Sequence, residues 1–110
     1  AYSASKHALQ GFFDSLRAEY PQLDVSIIIP GRIQTEISVN ALDKDGKAYG
    51  KMDAGQQEGL DAVVAARRIV GQMARGKKEI LVGGKELIMV HIRRFLPGLY
   101  YRMARKISAT

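Results

Sequence analysis

The 110-residue chain contains no cysteine, which excludes disulfides, thiol catalysis and cysteine-bound zinc. Its two histidines, His7 and His91, stand far apart, so no metal site is expected. No apolar run approaches the roughly 20 residues that cross a bilayer. No signal-peptide pattern is visible, because the first residues are already amphipathic and helical. Internal repeats and low-complexity tracts are lacking too. Acid is scarce in the second half: residues 51–110 carry 12 basic against 5 acidic groups, whereas residues 1–50 carry 5 basic and 6 acidic. The stretch 85–110 has 6 basic groups and one acid. A basic tail suits nucleic acid, an anionic membrane surface or plain solubility. No nucleic-acid recognition motif accompanies it, so nucleic acid is not an expected partner.

What is present is enough for one small domain. Apolar residues make up 46% of the chain, too many for a disordered polar segment. Residues 3–19 read as a helix, with Ser3 as its cap and Tyr20-Pro21 as its close. Ala4, Ala8, Phe12 and Leu16 recur at four, and Leu9 and Phe13 widen the stripe. Ala8, Gly11 and Ser15 form a second, small-residue face, so this helix is expected to lie between a core and a partner. Asp24 to Ile29 is short, β-branched and nearly continuously apolar, the pattern of a strand buried on both sides in a parallel sheet. Pro30-Gly31 ends it.

Residues 36–58 read as a long polar loop, with a turn at Asp43 to Gly46 and room for one short helix. A helix is expected from Leu60 to Ala74, its apolar stripe made of Val63, Ala66, Ile69, Val70 and Met73, with Gly76 as the stop. Glu79 to Val82 reads as a second buried strand, closed by Gly83-Gly84. In the tail, Arg93-Arg94 separates the apolar pieces Leu87–Val90 and Phe95–Tyr101. Aromatics beside arginines fit a segment lying on a membrane surface, and they also fit a helix docked on its own domain or on a second subunit. His91, on an apolar stretch, is read as a packing or surface residue.

The residues with chemical potential begin at the first helix. Tyr2 and Lys6 are one helical turn apart and share a face. A free tyrosine is a poor acid or base at neutral pH, and a neighbouring ammonium favours its phenolate. A tyrosine so tuned can give a proton to a developing alkoxide or take one from an alcohol, the proton half of carbonyl reduction; a cofactor must supply the hydride half. On spacing alone the pair also fits an ordinary surface pair. Ligands of parallel sheets bind beyond the carboxyl ends of the strands, which is where Pro30-Gly31 falls. Glycine there allows close backbone approach, and Thr35 offers a hydroxyl and an N–H to an amide.

Tyr2-Ser3-Ala4-Ser5-Lys6 followed, beyond a buried strand, by Pro30-Gly31-Arg32-Ile33-Gln34-Thr35 resembles the short-chain dehydrogenases/reductases. The likeness is to their C-terminal half and covers residues 1 to about 84. It implies an α/β fold, the C-terminal part of a Rossmann-like doubly wound parallel sheet, incomplete in this chain. Residues 1–84 would belong to that domain and 85–110 would form a basic amphipathic tail. The implied activity is hydride transfer between a nicotinamide cofactor, NAD(P)(H), and a carbonyl or alcohol substrate. Tyr2 would be the catalytic acid/base. Lys6 would lower the Tyr2 pKa and bind the nicotinamide ribose. Pro30 and Gly31 would line the nicotinamide, while the Ile33 backbone and Thr35 would hold its carboxamide.

The resemblance further implies a substrate loop from about Glu36 to Gly59 and a homo-oligomer through the first helix. The tail is similar to that of a membrane-associated subset, the relatives of dehydrogenase/reductase member 7. This makes an intracellular, endoplasmic-reticulum type of membrane association the expected location. The family's Gly-x-x-x-Gly-x-Gly fingerprint, its catalytic serine and its structural asparagine are not found among these 110 residues and would lie upstream of Ala1. The residue that separates NAD from NADP would lie there too; NADP is favoured. The 110 residues alone are therefore expected to be inactive. Two readings of other classes stand beside this one: a non-catalytic interaction module of the same family, and a segment whose basic tail binds a membrane surface.

Overall fold

A computed structural model describes residues 1–36, 46 and 59–107. In chain order the elements are α1 (Tyr2–Glu19), β1 (Ile27–Pro30), β2 (Ile33–Gln34), β3 (Leu60–Asp61), α2 (Ala62–Ala74), β4 (Glu79–Val82), a 3-10 turn (Lys85–Leu87), α3 (Ile88–Phe95) and α4 (Pro97–Lys106). They form two units, one made of Ala1–Pro30 and Val63–Val82, the other of Gly31–Ala62 and Gly83–Thr110.

The first unit is built on a parallel pair. Strand β1 pairs with β4 in the register Ile27 to Glu79, Ile28 to Ile80, Ile29 to Leu81 and Pro30 to Val82. Parallel neighbours need a crossover, and α2 precedes β4 as its helical part. This is the α/β pattern of a Rossmann-like sheet, of which the described strands form a part. The buried core of the described residues is Ile80 and Val82 on β4 and Ala65 on α2, at 0%, 1% and 2% exposure. Burial of each of these aliphatic strand side chains contributes about 1.5–3 kcal/mol.

Several expectations change here. The strand begins at Ile27, not Asp24. Val25 and Ser26 serve instead as its anchored approach: the Val25 carbonyl accepts from Arg17, and Ser26 Oγ donates to the Lys77 carbonyl at 2.8 Å. Nor is β1 buried on both sides; Ile28 is exposed, and β1 has a single neighbour among the described strands. Helix α1 runs through eighteen residues free of Val, Ile and Thr, which favours it intrinsically. Ser3 lies inside the helix, and Ala1 occupies the cap without a side-chain bond. Both apolar faces of α1 are largely exposed, with only Leu16 and Arg17 partly covered.

On α2 the covered residues are Ala65, Ile69 and Gln72, at i, i+4 and i+7. Val63, Ala66, Val70 and Met73, expected on the buried stripe, are exposed. The sequence holds two apolar stripes, and the small one with Ala65 lets the helix come close. The helix stops as expected: Gly76 adopts φ 73° and its N–H donates to the Met73 carbonyl at 2.9 Å.

In the second unit, Leu60 and Asp61 are a strand rather than the first turn of a helix. They pair in parallel with Ile33 and Gln34. Gly59 permits this, since a Cβ there would lie 2.8 Å from the Arg32 carbonyl carbon. The tail is two helices, and the break falls at Leu96-Pro97. Leu96 leaves the helical region, and Pro97, which has no N–H to lose, opens α4. Helix α3 packs on α4, with the Arg93 guanidinium 5.7 Å from the centre of the Tyr100 ring. Among the described residues no helix is long and apolar enough to cross a membrane.

Candidate active site

Tyr2 and Lys6 open α1 in the first unit. The helix brings them to one face, with Lys6 Nζ 5.4 Å from the centre of the Tyr2 ring. Around them the backbone is tied down locally: Ser5 Oγ donates to the Tyr2 carbonyl at 2.7 Å. His7 Nδ1 stands 2.8 Å from the Ser3 carbonyl, which makes it the protonated ring nitrogen. The Tyr2 side chain is 76% exposed, so its hydroxyl is open to a reactant.

Tyr2, Lys6 and Pro30 line one open cleft of about 610 Å³. Its walls are apolar, with Leu9 and Phe13 from α1 and the isoleucines of β1. Mostly apolar walls with a few polar side chains are what a small-molecule site requires. The strand leads from those walls to Pro30, at its carboxyl end.

Gly31, Ile33 and Thr35 belong to the second unit. There Ile33 is partly buried in the β2–β3 pair, and Thr35 follows that strand. The substrate loop expected from Glu36 to Gly59 lies, apart from Glu36, Gly46 and Gly59, outside the described residues. So do most of the Asp43–Gly46 turn and any short helix beyond it. Among the described residues no group of three or more His, Cys, Asp or Glu side chains is placed to hold a metal ion.

One residue of this region was not singled out by sequence. Glu86 Oε1 accepts the Arg32 N–H at 2.6 Å and the Gly84 N–H at 3.1 Å. The Arg32 N–H above all, then those of Gly84 and of Glu86 itself, hold this carboxyl below the usual carboxylate range; the Arg32 charge adds to them. The carboxylate occupies the space beside Gly31, where any Cβ would run into it. A Cβ on Gly83 would lie 2.9 Å from Gly31 Cα and 2.9 Å from Glu86 Oε1. The signal available was an acid two residues past a glycine pair that closes a strand.

The first 46 residues match the family model described as short chain dehydrogenase. Over 106 residues the chain is 41% identical to Dehydrogenase/reductase SDR family member 7B of Bos taurus, covering 94% of this chain and 33% of that protein. It is 42% identical to the Mus musculus protein of the same name, with the same coverage. Against the Drosophila melanogaster Dehydrogenase/reductase SDR family protein 7-like it is 40% identical over 109 residues, covering 96% of this chain and 33% of that one. The chain thus spans about a third of the length of these curated relatives. No solved structure matches it. Some 40% identity is sustained over nearly its whole length, so the chain is similar throughout to part of these short-chain dehydrogenase/reductase proteins.

Proposed function

We propose that the whole protein is an oxidoreductase that moves a hydride between a nicotinamide cofactor and a small carbonyl or alcohol substrate. The observation that carries this is Tyr2 and Lys6 side by side at a cleft that ends on Pro30. The cleft's walls are mostly apolar, and Tyr2, Lys6, Gln10 and Ser26 are its polar side chains. Tyr2, Lys6 and Pro30 are the residues that would hold the nicotinamide and its ribose in the first unit. Gly31, the Ile33 backbone and Thr35 are assigned the nicotinamide face and the carboxamide. When bound, the nicotinamide supplies or takes the hydride.

The chain's own groups do the rest. The Tyr2 hydroxyl donates its proton to the carbonyl oxygen as negative charge builds there, and takes one from the alcohol in the reverse direction. A cation beside a phenol favours its anion, which is the part assigned to Lys6. NADP is the favoured cofactor, and residues 1–84 are read as the part of the domain that carries this chemistry. Replacing Tyr2 by Phe in the full-length protein removes the proton and leaves the ring. Turnover should fall at least about a hundredfold with cofactor affinity within about twofold. Retained turnover sinks the assignment.

A specific observation supports a second role for residues 85–110. Phe95, Leu99 and Tyr101 on α3 and α4, and Leu96 between them, are exposed beside Arg93, Arg94, Arg102 and Arg105. We read this tail as a membrane-surface anchor of an intracellular, endoplasmic-reticulum type of protein. The small face of α1, Ala8, Gly11 and Ser15, is read as the contact with a second copy; a Cβ on Gly11 meets nothing within 4 Å, so another helix has room to approach.

A further inference from the structure

We propose that Glu86 is a positioning residue for the cofactor segment Gly31–Thr35, holding its backbone so that the Ile33 and Thr35 groups face a nicotinamide carboxamide. This rests on the reading of the site given above. The argument starts from a bond across 54 residues of sequence: the Arg32 N–H donates to Glu86 Oε1 at 2.6 Å. That N–H lies between Gly31 and Ile33, in the middle of the segment. The same oxygen accepts from Gly84 at 3.1 Å, which fixes the carboxylate to the chain that leaves β4. One acceptor thus joins the two stretches that follow the paired strand ends Pro30 and Val82.

The glycines agree with this. A Cβ on Gly31 would displace the Glu86 carboxylate that fills that space, and one on Gly83 would meet the Gly31 backbone as well as Glu86. Downstream, the segment is held a second time, by the Leu60 N–H donating to the Arg32 carbonyl at 2.9 Å. Arg32 therefore has both its backbone groups engaged, one by Glu86 and one by β3. Bonds to an ionised acceptor are about twice as strong as neutral ones. The carboxylate is also suited to its task by staying ionised, as its depressed pKa indicates. A segment fixed before the ligand arrives loses less freedom on binding, and the gain appears as affinity.

The test compares wild type, E86A and E86Q in the full-length protein. Binding of NADP(H) and NAD(H) is read by fluorescence titration, turnover by steady-state kinetics, and the amides of Arg32 and Gly84 by hydrogen exchange. E86A should bind nicotinamide nucleotide about tenfold more weakly and raise its KM in step, with kcat within about twofold. Its Arg32 amide should exchange at least about tenfold faster while that of Leu81 in β4 keeps its protection. E86Q keeps an acceptor oxygen and should recover most of the affinity, to within about threefold.

If E86A does not fold, E86D decides: its carboxylate is one methylene short of the Arg32 N–H, so nucleotide affinity equal to wild type with unchanged Arg32 exchange overturns the proposal. Unchanged affinity in a folded E86A overturns it as well. A wild-type protein that binds neither nucleotide overturns the reading of the site, and this proposal with it. Intact wild-type binding with an indifferent E86A removes this proposal alone.

Discussion

Replacing Arg17 by Met should reveal what aligns the parallel pair. The Arg17 guanidinium reaches from α1 to the starts of both strands. Nε and Nη2 donate to the Val25 carbonyl at 3.3 and 3.1 Å, Nη2 also to the Lys78 carbonyl at 3.1 Å, and Nη1 to Asp14 Oδ1 at 3.0 Å. Met keeps the length and apolar stem and removes every donor. The Lys78 carbonyl keeps the Ile27 N–H at 2.9 Å, so its loss is partial. Val25 is the acceptor left without these donors. Bonds to a charged group are worth about 1.5–3 kcal/mol when well shielded. Arg17 is partly exposed, so water replaces some of that, and the expected cost is about 1–2 kcal/mol. The Asp14 pair is exposed and contributes less than about 1 kcal/mol. In urea unfolding of the full-length protein, R17M should lower the midpoint clearly more than D14N. Arg17→Lys should behave like R17M, since one ammonium cannot span both carbonyls. R17M and D14N of equal effect would mean that the strand contacts carry nothing, and the account of this clamp would be wrong.

Ile80→Ala empties the best-buried side chain of the described core, and stability of the full-length protein should fall by about 2–5 kcal/mol in the same unfolding experiment. Gly59→Ala places a methyl against the Arg32 and Ile33 backbone; the amide of Leu60, bonded to the Arg32 carbonyl, should lose exchange protection by about tenfold or more. The Glu86 pKa is depressed in the folded protein, so its contribution is complete above the ordinary carboxylate value of about 4.3 and is lost as pH falls through the lower folded value. The acid limb of the stability profile should therefore flatten in E86Q, with Arg32 the charged neighbour in play. Removing residues 85–110 should abolish co-sedimentation with anionic vesicles; unchanged binding refutes the membrane reading of the tail.

The local part of the fold was legible. Tyr2–Glu19 and Glu79–Val82 follow from periodicity and composition alone, and Gly76 from the need for positive φ. What could not be read depends on partners far along the chain. Leu60-Asp61 continues a helical pattern, yet Gly59 lets it lie against Ile33-Gln34 as a strand. The α2 face was misread because two apolar stripes share the helix, and the one with Ala65 is the one that is covered. At the site, Tyr2 and Lys6 were visible because four residues in a helix is a local distance. Glu86 was not, because its meaning comes from an N–H 54 residues away.

These clamps explain how so short a ladder can keep its alignment. Strands β1 and β4 share four paired positions, and an isolated two-stranded sheet is marginal in water. A slip of one residue would turn Ile80 and Val82 from the core to the other face. The aliphatic side chains of β1 and β4 do not discriminate strongly, because Ile, Leu and Val occupy both faces. Discrimination comes from polar groups at the ends. Arg17 and Ser26 bind carbonyls at the strand starts. Each of these bonds has a fixed reach, so a slipped register would leave donors without acceptors. The consequence separates stability from ligand binding. Truncation in the core at Ile80 should cost more stability than loss of Glu86, whereas loss of Glu86 should disturb Gly31–Thr35 more than any core change of equal cost.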